Sequence, residues 1–133
     1  MSQENVELLK RLYDDFNRGG AEAALPYLDP NVDFYQPDEG VGGSGSYRGH
    51  AGWLRAINDL SAMFDDFRVA PEEFRDGDDW VFAAVRLQGR GRGSGAAIDV
   101  PVVHVCTMRT GRVARFHAYT DRSKALEALG LSE

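Results

Sequence analysis

The sequence predicts an α+β domain in which a curved, mostly antiparallel sheet wraps around three N-terminal helices. Apolar residues follow helical spacing early in the chain, and they alternate with polar residues later. The clearest feature is Asp99–Asp121, where two long runs rich in valine and aromatic residues meet at Thr110-Gly111. A short glycine-containing joint between such runs is typical of a β-hairpin. Helices followed by hairpins indicate the α+β class.

Composition is that of one ordinary globular domain, which we expect to span residues 1–133. The chain is 43% hydrophobic and 27% charged. Its net charge of −6 gives no electrostatic support for binding nucleic acid. The single cysteine, Cys106, cannot form an internal disulfide. Because the sequence shows neither a signal-peptide core nor a bilayer-length apolar run, we expect a cytoplasmic protein that does not bind membranes.

The N-terminal third is predicted to contain two helices and a strand. The first helix begins at Ser2 and is terminated by Gly19-Gly20. A second helix over Ala21–Leu28 should be short or bent, because it contains a proline. A turn at residues 29–31 then leads into the strand Val32–Gln36.

The middle of the chain combines a loop, a helix and an edge strand. Pro37–Tyr47 is rich in glycine and is interpreted as a flexible connection or, alternatively, as a lid over a pocket mouth. Gly49–Phe64 has the apolar stripe of a third helix. Pro71 interrupts the strand Phe67–Phe74, which predicts a sheet edge or a bulge there.

The remaining elements are two hairpins and a closing helix. Trp80–Gln88 alternates cleanly and is predicted to be a strand. Gly89–Gly95 contains two arginines but is best interpreted as a solvated hairpin tip. After the hairpin Asp99–Asp121, a helix over Arg122–Leu129 should be capped by Asp121 or Thr120 and end at Gly130.

The two strands of the last hairpin have faces of different character. One face of the first strand carries Val100, Val102, His104, Cys106 and Met108. On the second strand, Ala114, Phe116, Ala118 and Thr120 share a side. A mostly apolar wall with one imidazole, that of His104, is a plausible pocket floor.

Several short motifs resemble those of the SnoaL-like branch of the nuclear transport factor two-like superfamily. The motifs are Leu12-Tyr13-Asp14-Asp15-Phe16-Asn17-Arg18-Gly19-Gly20, Tyr27-Leu28-Asp29-Pro30-Asn31-Val32, Tyr47-Arg48-Gly49-His50, Thr110-Gly111-Arg112-Val113 and Tyr119-Thr120-Asp121. The resemblance covers essentially the whole chain. It implies a cone-shaped cavity between helices and sheet, in a fold that hosts enzymes, binding proteins and adaptors alike.

The resemblance also allows the family's catalytic positions to be compared one by one. The general-base aspartate of ketosteroid isomerases falls on Gln36, and glutamine cannot take a proton at neutral pH. Their acid on the third strand falls on His104 or Val103, and their helix-1 tyrosine falls on Leu12, one residue before Tyr13. The catalytic positions of epoxide hydrolases correspond to five residues that are all uncharged here: Phe34, Gln36, Val85, Leu87 and Ala118. Most members of both acid–base sets are therefore missing.

The resemblance implies a pocket with one group that titrates near neutrality, His104. The residues expected around it are Tyr13, Phe16, Phe34, Gln36, Trp53, Leu87, His104, Phe116 and Ala118. His104 is either a catalytic residue or an imidazole satisfied by a hydrogen bond in the core. His50 and His117 lie at a helix start and on the opposite strand face, so no metal site is implied, and no cofactor is expected.

Two classes of function follow. The first is a pocket that binds a small apolar molecule or transforms it by cofactor-free isomerase, cyclase or hydrolase chemistry. The second is a non-catalytic dimerisation or adaptor module. We also expect a homodimer through the outer sheet face, because alternation places large apolar residues there that would form an exposed patch. These residues are Trp80, Phe82, Val103, Val105 and Tyr119.

Overall fold

A computed structural model describes residues 2–37 and 45–132. The helices are α1 (Ser2–Gly19), a 3-10 helix (Ala21–Tyr27), α2 (Gly49–Ala62) and α3 (Arg122–Ala128). The strands are β1 (Leu28–Gln36), β2 (Gly45–Arg48), β3 (Phe64–Asp76), β4 (Trp80–Gly91), β5 (Ala97–Arg109) and β6 (Arg112–Tyr119). None of the helices in these two ranges is long and apolar enough to cross a bilayer.

The described strands form one open sheet in the order β2-β1-β6-β5-β4-β3. All neighbouring pairs are antiparallel except β1 and β6, which run parallel. The predicted α+β class is confirmed, and the sheet is mixed. The parallel pair places β1, which lies early in the chain, beside the last strand.

The central hairpin forms as predicted, with one local shift. Thr110 (φ 49°) and Gly111 (φ 75°) form the turn, and positive φ at both central residues matches the twist of the flanking strands. The β5–β6 register then slips, because Thr107 pairs with Arg115 whereas Met108 pairs with Val113. Val113 rather than Ala114 therefore joins the core, which corrects the predicted face of β6.

Two predicted turns or loops prove to be strand. Residues 29–31 lie inside β1, where the pairing with β6 is irregular between Leu28 and Asp33. The Asn31 amide donates to Asp29 Oδ1 at 2.8 Å, so the local turn signal is accommodated within the strand. Residues 45–47 belong to β2, which pairs with β1. Residues 38–44 of the predicted loop, and with them its possible role as a lid, lie outside the described residues.

Several other elements begin or end a few residues away from their predicted boundaries. The segment predicted as helix over Ala21–Leu28 is a 3-10 helix that ends before Leu28, the first residue of β1. α2 ends at Ala62, and Phe64 begins β3 instead of closing the helix. β4 extends through Gly91, so only the end of the predicted hairpin tip is a turn. β3 is an edge strand with a register shift after Pro71, as predicted.

The two sheet faces carry separate apolar clusters. The inner cluster lies between the sheet and α1 and α2, and it includes Leu9, Leu12 and Phe16 of α1 as predicted. The outer cluster lies under α3 and consists of Phe82, Val103, Val105, Ala125 and Leu126. The sequence-based expectation that this outer patch is exposed was wrong, because Phe82 is 0% exposed and Val105 is 7% exposed. A homodimer through this face stays a prediction, but an exposed apolar patch no longer supports it.

Candidate functional site

The centre of the candidate site is His104, in the middle of β5. Its cross-strand neighbours are Ala83 on β4 and Ala118 on β6. All three belong to the buried residues on the inner side of the sheet. Because an alanine side chain is a single methyl group, the imidazole stands between two short neighbours. This arrangement leaves space beside the ring that larger residues on β4 and β6 would fill.

A hydrogen bond joins this imidazole to α1. The Tyr13 hydroxyl and His104 Nδ1 are 2.8 Å apart, and both side chains are buried. Burial lowers the pKa of His104 to about 3, so the imidazole is uncharged at neutral pH. Burial also raises the pKa of Tyr13 well above its usual value, so its hydroxyl keeps its proton. The pair is therefore neutral.

The second ring nitrogen of His104, Nε2, has no partner within the described part of the chain. His104 borders the cavity, and no described residue forms a hydrogen bond with its Nε2. The buried Gln36, at the end of β1, borders the same space, and its amide also has no hydrogen-bond partner among the described residues. Thr120 also borders the cavity. His104 and Gln36 can hydrogen-bond a bound molecule without placing a charge beside it.

Aromatic rings form one wall of the cavity. The Phe34 and Trp53 ring centroids are 4.9 Å apart, and Phe116 lies 5.3 Å from Trp53. The His104 ring is 4.6 Å from Phe116, which joins this wall to the polar pair. Trp53 is oriented by a 3.0 Å hydrogen bond from its indole Nε1 to the Ala21 carbonyl. Such a wall presents flat apolar surfaces to a ligand.

All nine residues predicted from the sequence border this one cavity, whose volume is about 60 Å³. Whether they bind a ligand stays a prediction. The structure adds further lining residues: Leu12, Pro37, Ile57, Leu60, Phe67, Val69, Val102 and Thr120. None of the described residues that line the cavity is charged. The cavity is small compared with drug-sized pockets of roughly 300–1,000 Å³.

Several supporting residues had only weak sequence signals. Asn17 accepts from the Val69 amide at 2.9 Å and donates to the Val69 carbonyl at 2.8 Å, so it ties α1 to edge strand β3. An asparagine near a helix end is more often interpreted as part of the helix terminus. Ile57 and Leu60 were detectable, because they share the predicted apolar stripe of α2 with Trp53.

The positions that carry catalytic carboxylates in related enzymes hold uncharged groups here. Gln36, Leu87 and Ala118 all border the cavity. The three histidines are apart: His50 bonds the Leu28 carbonyl, and His117 faces Asp33 at 3.4 Å. Over residues 2–37 and 45–132, no group of three or more metal-ligating side chains comes together.

Known proteins with the same fold were found by comparison of both sequence and structure. Residues 9–116 match the family model of the SnoaL-like domain. None of the curated protein sequences compared with the chain matches it. An NTF2-like protein from Burkholderia pseudomallei has a TM-score of 0.79 at 22% identity, over 93% of this chain and 95% of that one.

Two further solved structures that are similar to this chain have names that describe enzymes. A protein assigned as a SnoaL-like polyketide cyclase from Jannaschia has a TM-score of 0.77 at 22% identity, over 99% of this chain and 95% of that one. SalBIII, an epoxide hydrolase/cyclase-like enzyme, has a TM-score of 0.75 at 16% identity, over 88% and 90% of the two chains. At such identities these likenesses establish the fold.

Proposed function

The chain belongs to the SnoaL-like domain family, and we propose that its inner cavity binds a small, neutral, mainly apolar molecule. The observation that carries the proposal is a cavity with uncharged hydrogen-bonding groups at one place in an otherwise apolar lining. An ion would lose its hydration there without gaining a counter-charge from the described lining residues, which is costly. A neutral ligand avoids that cost and gains from apolar burial.

The size of the cavity and its aromatic wall define the ligand further. The cavity of about 60 Å³ is smaller than the roughly 150 Å³ apolar cavity that holds benzene, so a single ring would enter only in part or with movement of the lining side chains. The rings of Phe34, Trp53 and Phe116 would contact the faces or edges of such a ring. Tyr13–His104 and Gln36 would fix its orientation through hydrogen bonds.

Any chemistry of the isomerase, cyclase or hydrolase type would draw on the same polar groups. A pKa of about 3 makes His104 a weak base at neutral pH, since an effective base has a pKa near the working pH. We therefore propose that His104 acts on a ligand through hydrogen bonding rather than by removing a proton. His104→Ala should weaken ligand binding by about 1–3 kcal/mol, the usual effect of losing a buried hydrogen-bond partner.

The two tryptophans provide an internal control for a binding experiment. Trp53 borders the cavity, whereas Trp80 packs against the outer cluster. Phenol, a neutral ring, should shift the indole N–H resonance of Trp53 and leave that of Trp80 in place. Benzoate, an anion of similar size, should shift neither resonance at the same concentration. Equal binding of the two probes, or a response at Trp80 alone, would contradict the proposal.

A cavity-filling variant tests the location of the site. Ala118→Leu should weaken phenol binding at least about tenfold, because the added carbons occupy the space beside His104. Ala97→Leu is the matched control, since Ala97 is exposed at the start of β5. Phenol affinity unchanged by Ala118→Leu would place binding elsewhere.

A further inference from the structure

The Tyr13–His104 contact has two possible arrangements of hydrogen atoms. Either the Tyr13 hydroxyl donates to Nδ1, or a protonated Nδ1 donates to the hydroxyl oxygen. A neutral imidazole carries one proton, so each arrangement determines whether Nε2 is a donor or an acceptor. The consequence reaches a ligand, because His104 borders the cavity and its Nε2 is not among the fully buried, unpartnered side-chain atoms of the described residues.

Counting unpaired groups separates the two arrangements. If Tyr13 donates, then the hydroxyl proton and the Nδ1 lone pair are both satisfied, and Nε2–H alone remains for a ligand. If Nδ1 donates, then the hydroxyl proton of Tyr13 and the Nε2 lone pair both lack partners among the described residues. Each unsatisfied buried polar group is costly, so the first arrangement is favoured.

We infer that Tyr13 is a specificity-determining residue: it holds His104 as the Nε2–H tautomer, so the cavity selects ligands that offer a hydrogen-bond acceptor such as a carbonyl oxygen. This inference rests on the proposed function of the cavity and adds the polarity of the ligand group beside His104. A ligand that offers only a donor would face the Nε2 proton. To accept a hydrogen bond from such a ligand, His104 would have to move its proton from Nε2 to Nδ1, and this would break the hydrogen bond that Tyr13 donates.

The other polar side chains do not impose this selection. The Gln36 amide contains both a donor and an acceptor, and so does the Thr120 hydroxyl. Because His104 has a fixed tautomer, it is the group that discriminates between the two kinds of ligand among the described polar residues of the cavity. Tyr13 acts through His104 and is therefore a positioning residue.

The first test reads the tautomer directly, without any ligand. Long-range ¹H–¹⁵N spectra of the unmodified protein at neutral pH should show His104 with a protonated Nε2 and an unprotonated Nδ1. A protonated Nδ1 would overturn the inference even if the cavity binds neutral rings. Conversely, the expected tautomer with no binding of phenol would overturn the proposed function and leave the tautomer assignment intact.

The second test measures ligand selection with two small neutral probes. Cyclohexanone offers only an acceptor, and pyrrole offers only an N–H donor. Tyr13→Phe frees Nδ1, so the ratio of pyrrole to cyclohexanone affinity should rise about tenfold, mainly because pyrrole binds more tightly. Tyr27→Phe is the matched control, because the Tyr27 hydroxyl bonds Asp15 away from the cavity lining. An unchanged ratio in Tyr13→Phe, or an equal change in Tyr27→Phe, would contradict the assigned role.

Discussion

The inner and outer faces of the same strands differ in which helices cover them and in whether a cavity remains. On β5, His104 points into the inner cavity, while its neighbours Val103 and Val105 lie in the outer cluster. The inner face is covered by α1 and α2 and retains a cavity with polar groups. The outer cluster is apolar and is covered by the seven residues of α3.

This difference shows how one alternating sequence can serve two purposes. Alternation sends successive side chains to opposite faces, so a polar residue can be added to one face without disturbing the other. The outer face then contributes stability through apolar burial. The inner face gives up some packing density around His104, which leaves room for a ligand.

The largest expected effect is loss of packing on the outer face. Phe82→Ala should lower the free energy of unfolding by about 3–5 kcal/mol, because the ring is fully buried under α3. Denaturant unfolding measures this loss. Phenol affinity should change less than about twofold in the folded variant, whereas Phe116→Ala should weaken it. A comparable loss of phenol affinity in Phe82→Ala would show that the two faces are not independent.

The next effect concerns pH and belongs to the inner face. His104 binds its proton less readily in the folded state than in the unfolded state, where its pKa is near 6.5. The unfolded state therefore takes up more protons as pH falls below about 6.5, and stability should decrease by about 2 kcal/mol between pH 8 and pH 5. His104→Gln should remove that part of the pH dependence in denaturant unfolding.

His117 supplies the comparison for this pH effect. Burial lowers its pKa, while the nearby Asp33 carboxylate opposes the shift. His117→Gln should therefore remove a smaller part of the stability loss between pH 8 and pH 5 than His104→Gln does. A larger effect from His117→Gln would mean that His104 is not the group that dominates this pH window.

A smaller effect is expected where α1 is tied to the sheet edge. Asn17→Ala removes both hydrogen bonds to the Val69 backbone and should lower the free energy of unfolding by about 1–2 kcal/mol. Because Val69 borders the cavity, phenol affinity should also fall. Asn58→Ala is the control, since Asn58 is exposed on α2. Equal stability losses in the two variants would remove any special role for Asn17.

The smallest effect is expected from an ion pair that holds α3 over the outer cluster. Arg122 makes two 3.0 Å hydrogen bonds to the Glu73 carboxylate, and its guanidinium lies 5.0 Å from the Phe82 ring centroid. Both side chains are partly exposed, so water and salt screen the pair. Glu73→Gln should therefore lower the free energy of unfolding by about 0.5–1 kcal/mol, and less at high salt. A salt-independent loss above 2 kcal/mol would contradict this account.

The sequence by itself determined the features that depend on short-range pattern. Alternation and the Thr110-Gly111 joint determined the last hairpin. Asp121 or Thr120 was predicted to cap α3, and Asp121 is the one that does so, accepting from the Ser123 amide at 2.8 Å. The resemblance to the family predicted nine residues that border the cavity, of which only Tyr13 and Phe16 lie in the quoted motifs, and their role in binding stays a prediction.

Tertiary structure decided what depends on contacts between distant segments. The parallel pairing of β1 with β6, the slip that buries Val113, and the Tyr13–His104 bond across 91 residues have no local signal. Covering of the outer face by α3 likewise depends on where the chain returns after β6. The physical reason is that propensity and periodicity act over neighbouring residues, whereas burial and hydrogen-bond partners are set by the whole packed chain.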